Sequence, residues 1–506
     1  MTANFIESLS TLEKSAPQGG WFKGIRLVYQ GFGAMAADMF RRFATVDSVV
    51  SFYYGEDVAT HVEKRWGSKV FSYEKKKKVR HNAVGLFNEY FYRDYGDEIL
   101  KHLSGVDGKI AFVPFATTKA LQDFLFERGR GMHLFQNPVI VQNYFDYKAR
   151  LAWRAAEIGV PMPPDSTISF FGRMDYKELS DRYGSFVVQV PISQAGGGTD
   201  FIHSLGDFEK IVSMRKNALG TAFEKTPVKI TRYMAGPSLN CTGCVVGGSV
   251  VLSQPDIQIV GDPTITTNPA QYIGSDFSLN PFSQEHKNRM LEITAKIGVW
   301  MGKNGYRGNF GVDFLSTLTA DGKLDEIYVS EVNARLVGES QYLADFQSMK
   351  NQVPLTFFHL AEFAELDIDP RFVKTYNDNL PDLEGSAIMI FTEGKGIFST
   401  DGEFKSGVYK IENAKPVRLR DGLTLSDTKT REEFVVTNGI PWKGLTIGHP
   451  RYGDEDVCLG YIMTRESIVD PNDWKRINKK WKSTIDMVRK EMKLAPAPKR
   501  SLKDCR

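Results

Sequence analysis

Between residues 328 and 340 the chain reads YVSEVNARLVGES, and Glu331, Asn333 and Arg335 fall on alternate positions. Side chains on a strand alternate between faces, so an extended segment projects all three to one side. Carboxylate and amide oxygens suit a hard divalent cation such as Mg²⁺, which takes carboxylates together with phosphate oxygens. A guanidinium beside them answers an anion. Upstream, GNFGVDF (308–314) supplies Asp313, and Asp321-Gly322 between the two segments is a common hairpin turn pair. Asp313 and Glu331 lie nearly equidistant from that turn, so antiparallel pairing brings the carboxylates together, where they repel unless a cation separates them. A register slip of one residue would reverse the faces.

A second candidate is QVPISQAGGGTDF (189–201). After a strand, Gly196, Gly197 and Gly198 let the backbone approach an anion closely and aim its N–H groups at phosphate. The Gly-Lys-Ser/Thr ending of a P-loop is missing, and a triple glycine also serves as a flexible turn. Lys148, in the helical run DYKARLAW, reads as a surface lysine.

Several elements must position these groups. GIRLVYQ (24–30), DSVVSFYYG (47–55) and GKIAFVPFA (108–116) read as strands alternating with helices, which predicts an open α/β layer with a parallel sheet. Residues 143–166 (NYFDYKARLAWRAAEIGVPMPPDS) read as one helix with Asp146 near its start. SFVVQVPIS and PVKITRYM (227–234) are further strands, and AGPSLNCTGCVVGGSVVLSQP alternates like paired strands around a Gly-Gly turn. Residues 385–465 are rich in short strands and glycine turns, and a charged helix over 472–493 precedes a basic tail.

The chain has 506 residues, 42% hydrophobic and 25% charged, as in a globular protein. At about 150 residues per domain it is long enough for roughly three. A formal charge of +3 gives no reason to expect nucleic acid as a partner, and EKKKKVRH (74–81) reads as a solvated basic run. Four cysteines (Cys241, Cys244, Cys458, Cys505) are too few and scattered for a disulfide framework, so a reducing compartment is expected. In CTGC, positions i and i+3 of a strand face opposite sides. The first twenty residues lack a basic start followed by an apolar run, and no 18-residue apolar segment occurs. The expected location is cytoplasmic, without a membrane partner.

GFGAMA (31–36) fits G-x-G-x-x-A after a strand, with Glu56 near the end of a second strand. That spacing makes an NAD(P)-dependent oxidoreductase an alternative.

Taken in order, the segments over about residues 20–370 resemble the ATP-grasp superfamily of carboxylate–amine ligases, most specifically in GNFGVDF followed by SEVNAR. The resemblance implies an α/β (α+β) ATP-grasp fold. It places an N-terminal Rossmann-like domain at 1–130 and the grasp at 131–375, with a small lobe about 145–235 and a large lobe about 236–375. A small C-terminal β-rich domain would occupy 385–470, and a helix and tail 471–506. It makes Asp313, Glu331 and Asn333 ligands of Mg²⁺ (or Mn²⁺), with Glu331 bridging two ions, and sets Arg335 on phosphate. Lys148 matches the first nucleotide-binding lysine, Gly196–Gly198 with Thr199 the mobile loop over the phosphates, and Thr231, Arg232, Tyr233 and Met234 the segment facing adenine. Where the family has a second lysine this chain has Gln189, with Lys229 as the other candidate for that role. Within the superfamily the layout resembles peptide and amino-acid ligases of the pheganomycin ligase type, and residues 254–277 are similar to their acceptor side. The implied activity is ATP-dependent amide or peptide bond formation between a small-molecule carboxylate and an amine (amino acid or peptide), through an acyl phosphate, releasing ADP. A homodimer is compatible with the resemblance. A nucleotide-binding regulator of the same fold is the other alternative.

Overall fold

The computed structural model describes residues 8–18, 20–82, 84–191, 197–278 and 282–497, without the side chains of 84–90. Its first sheet is wholly parallel. Strand β1 (Ile25–Gly33) is central, flanked by β2 (Thr45–Tyr53) and β3 (Lys69–Ser72) on one side and by β4 (Lys109–Pro114) and β5 (His133–Leu134) on the other. Leu27, Val28 and Tyr29 are consecutive and all buried, the unbroken apolar run of a strand covered on both faces.

The GFG of the dinucleotide-like run does not turn. β1 continues through Gly33, and a short 3₁₀ turn over Ala34–Ala37 follows. Glu56 opens a helix, Glu56–His61, rather than ending β2. The glycines are needed for close packing instead: a Cβ at Gly31 would come within 2.1 Å of the Tyr29 hydroxyl. The strand-to-helix glycine turn that a bound dinucleotide requires is not formed at Gly31.

A four-stranded antiparallel sheet comes next, with β9 (Pro227–Arg232) between β6 (Thr167–Phe170) and β7 (Phe186–Gln189), and β8 (Thr199–Ile202) at the edge beyond β7. It has its own core, including Phe171, Phe186, Val188, Phe223 and Ile230.

The third sheet has eleven strands. Along it run β15 (Leu324–Asn333), β14 (Gly308–Leu318), β10 (Ser238–Val246), β12 (Asp256–Val260) and β13 (Tyr272–Asp276). They are followed by β16 (Ser386–Phe391), β20 (Cys458–Thr464), β19 (Phe434–Thr437), β17 (Gly407–Glu412) and β18 (Lys415–Arg420), while β11 (Ser249–Leu252) pairs with β10. The ladder is unbroken at residue 385: Ser275 of β13 pairs with Ala387 of β16. Cys241 and Cys244 of β10 are both buried, in different apolar clusters, which is the opposite-face arrangement the strand spacing predicts. Cys458 is also buried, and none of the three forms a disulfide.

The predicted helix over 143–166 is two helices. α1 (Val139–Asp146) ends where the sequence suggests a start, and α2 (Lys148–Ile158) begins after an extended Tyr147 (φ −72°, ψ 101°). Tertiary hydrogen bonds replace the helical ones at the break. Asp146 Oδ1 accepts the Ala334 N–H at 2.6 Å, and the Lys148 N–H donates to the Pro191 carbonyl at 3.0 Å. Helix α3 (Gln284–Lys303) buries Met290, Ile293, Ile297 and Met301. Helix α4 (Leu355–Phe363) carries His359, whose Nδ1 accepts the Asn309 N–H at 3.1 Å while Nε2 meets the Phe135 carbonyl at 2.9 Å. Among the described residues no helix is long and apolar enough to cross a membrane.

Candidate active site

β14 and β15 pair with Asp313 directly opposite Glu331, Val312 opposite Val332 and Gly311 opposite Asn333. A bulge follows Asp313, so Phe314 faces Val329. Three amides converge on Asp313: Asn240 Nδ2 and Gln258 Nε2 donate to Oδ1, and Asn333 Nδ2 to Oδ2, each at 2.9 Å. Burial, then the charge of Glu331, pushes the Asp313 carboxyl up to about 7.

Glu331 is held by cations from the neighbouring elements. Lys148 Nζ lies 2.7 Å from Glu331 Oε2. The expected surface lysine is therefore buried, because the break at Tyr147 turns the start of α2 toward β15. Lys229 pairs with Gln189 between β9 and β7, and its Nζ donates to the Ser330 carbonyl at 2.6 Å. Burial lowers Lys229 to about 8, against the pull of Glu331. Burial works to raise Glu331, but Lys148, with Lys229 and Arg335, holds its carboxyl below the ordinary value.

Arg335 departs from the alternation. β15 ends at Asn333, and the next residues are pinned through their N–H groups: Ala334 N–H to Asp146 Oδ1, Arg335 N–H to Asn333 O at 2.9 Å, and Leu336 N–H to Phe115 O at 3.1 Å. The guanidinium lies 5.7 Å from the Phe115 ring centroid, and its buried Nε has no hydrogen-bond partner among the described residues. An unpaired guanidinium N–H is costly unless an anion completes it.

These groups line a cavity of ≈1110 Å³ between the sheets. Lys148, Gln189, Thr199, Thr231, Arg232, Tyr233, Met234, Asp313, Glu331, Asn333 and Arg335 all face it; Lys229 lies outside the lining. Gln189 Nε2 donates to Thr199 Oγ1 at 3.3 Å. Gly197 and Gly198 form the turn into β8, where the Gly198 carbonyl accepts the Val190 N–H at 2.9 Å and Arg215 holds the Gly197 carbonyl at 3.2 Å. Neither glycine lines the cavity, and Gly196 lies outside the described residues.

Among the described residues, no group of three His, Cys, Asp or Glu side chains forms a metal cage. Two facing carboxylates and the Asn333 amide instead fit Mg²⁺, which usually keeps waters and shares its shell with substrate phosphates. The sequence reading missed Asp146, which fixes the Arg335 turn, and Glu339. Glu339 is buried, accepts from Thr242 Oγ1 at 2.9 Å, and is raised by burial. Its place in VGES carries no periodic signal; only the distant β10 reveals it.

No family model and no curated protein matches this chain. Among solved structures it is similar to Rhizobium etli pyruvate carboxylase, with TM-score 0.55 and 15% identity over 87% of this chain and 36% of that one. It is also similar to the biotin carboxylase domain of Hydrogenobacter thermophilus 2-oxoglutarate carboxylase in complex with MgADP, ADP and bicarbonate (TM-score 0.53, 13% identity, 87% and 86% covered). A third likeness is to an ADP complex of purK, N5-carboxyaminoimidazole ribonucleotide synthetase (TM-score 0.51, 10% identity, 93% and 98% covered). What they share with this chain is the ATP-grasp fold.

Proposed function

We propose that this protein is an ATP- and Mg²⁺-dependent ligase that joins a carboxylate to an amine and releases ADP and phosphate. The observation that carries the reading is the direct pairing of Asp313 with Glu331, ringed by Lys148, Lys229 and Arg335, whose Nε has no partner among the described residues. Like-fold proteins whose structures hold ADP support a nucleotide ligand for this chain.

Asp313, Glu331 and Asn333 would hold Mg²⁺, which would supply positive charge to offset that of the phosphates. Arg335 answers the phosphate, and Lys148 keeps Glu331 ionised as a ligand. Thr231–Met234 would face the base, with Gln189 and the Gly196–Thr199 segment over the phosphates. In the first step a substrate carboxylate oxygen attacks the γ-phosphorus and ADP leaves with the bonding electrons. The amine nitrogen then attacks the acyl carbon, the C–O bond to phosphate breaks, and the nitrogen gives its proton to solvent. Positioning and fixed charge do the work, so no nucleophilic side chain is required.

The finer reading is peptide-bond formation between amino acids or peptides, by resemblance to pheganomycin-type ligases. Incubation with ATP, Mg²⁺ and an amino-acid pool is expected to release ADP in step with a new amide. Release of AMP and pyrophosphate, or no amine-dependent nucleotide turnover with any carboxylate donor, would refute the assignment.

A further inference from the structure

The basic side chains of the cavity are unevenly placed. Lys148 and Arg335 stand at the carboxylates; Arg232 and Arg476 flank in sequence the pair Tyr233 and Lys475, whose Nζ meets the Tyr233 hydroxyl at 3.2 Å. Among the described residues, the wall contributed by residues 29–115 and 389–461 holds no lysine or arginine. It presents instead the Tyr53 and Tyr461 rings, the Asn438 amide, Glu455, and Asp456, whose carboxylate also accepts the Thr267 N–H and hydroxyl. Arg335 touches its Phe115 end, and Arg80 lies behind it. Arg80 sits 4.5 Å from the Tyr53 ring centroid, but Glu74 and the carbonyls of Gly439 and Cys458 take its donors.

Asn438 has an unusual seat. Its backbone is left-handed (φ 62°), and its Nδ2 donates to Gln341 Oε1 at 3.1 Å. Its buried Oδ1 has no partner among the described residues. Gly33 makes room for it, since a Cβ there would stand 1.9 Å from that oxygen. A phosphate or carboxylate held against the Tyr53, Tyr461 and Asn438 part of this wall would lose water without gaining a counter-charge. A ligand ammonium there gains from aromatic faces, acids and an acceptor-rich lining.

We propose, resting on the ligase reading above, that this wall receives the amine-bearing substrate on an aromatic or uncharged body and rejects phosphate-bearing amines. The chain would then differ in substrate class from a synthetase of ribonucleotides, whose fold it shares.

The test is equilibrium binding to the full chain, with and without Mg-ADP, of two probes: L-phenylalaninamide and phosphoethanolamine. The expected result is binding of L-phenylalaninamide at least about tenfold tighter than phosphoethanolamine. Gln341→Lys, which places a cation beside Asn438, should reverse or erase that preference, and Gly33→Ala should weaken L-phenylalaninamide by displacing Asn438. Equal or tighter binding of phosphoethanolamine to the wild type, or binding of neither probe, overturns the proposal. Mg-ADP binding is read separately. Its loss alone would sink the ATP reading, while probe selectivity without nucleotide would still decide the nature of this wall.

Discussion

Two of the buried charge clusters among the described residues differ in completeness. At Glu74 and Arg80, both fully buried, Arg80 donates to both carboxylate oxygens and to two carbonyls, and the Tyr54 N–H adds a bond to Glu74 at 2.9 Å. At Glu331 and Arg335 the pairing is incomplete: Arg335 Nε has no partner among the described residues, Asp313 is driven up and Lys229 down. A network that satisfies itself holds elements together, here the segment Tyr73–Arg80 that follows β3 against Gly439 and Cys458. A network left short of partners is arranged for a charge that arrives from outside.

The largest expected effect tests the complete network. Glu74→Ala strands the Arg80 guanidinium and should cost about 3–5 kcal/mol of stability, measured by denaturant unfolding. A loss below about 1 kcal/mol would mean the pair does not join the elements it touches.

Next is His359, another satisfied group. Burial lowers its pKa from 6.5 to about 4, so below pH 6.5 the unfolded chain takes a proton that the folded chain refuses. Stability should fall as pH drops from 6.5 toward 4, by about 3 kcal/mol in all, and level off below. His359→Gln offers one acceptor and one donor without titrating, and should flatten that limb in unfolding curves taken across the window.

The incomplete network should respond in rate instead. Glu331→Gln or Arg335→Ala is expected to lower ATP-dependent ligation at least ~100-fold, the usual loss for one preorganised electrostatic group. Their melting temperatures should stay close to wild type. Near-normal ligation by both variants would erase the distinction between the two clusters.

The smallest effect is a control. Lys119 and Asp123 pair on the surface with both side chains well exposed, and Lys119→Ala should leave the unfolding midpoint and turnover unchanged within error.

How legible was this in the sequence? The β14–β15 hairpin was legible in outline: counting outward from Asp321-Gly322 sets Asp313 against Ser330, one short of Glu331, and the register shifts along the hairpin, which no turn signal encodes, bring Glu331 opposite it. Arg335 was legible as a neighbour of that pair but not as a residue beyond the strand, since alternation says nothing about where pairing stops. Lys148 was misjudged because the helical pattern runs through Tyr147, while the break there is made by Ala334 and Pro191, both distant in sequence. Gly31 and Gly33 mimic a dinucleotide fingerprint for a packing reason, a side-chain contact that no local pattern encodes. The strands of 386–464 were visible as strands, but their membership of the large sheet depends on edges that meet only in space.

That shared sheet has a practical consequence. Cutting the chain near residue 385 would strip β16 from β13 and leave Tyr272–Asp276 as a bare hydrogen-bonding edge. Asp276 would also lose the Ser467 hydroxyl and the Ile468 and Val469 N–H groups that its carboxylate now gathers. An exposed edge with an abandoned acid at its rim is a template for chain-to-chain pairing. Fragments ending there should therefore precipitate, and a soluble truncation would have to keep the C-terminal strands to close the ladder.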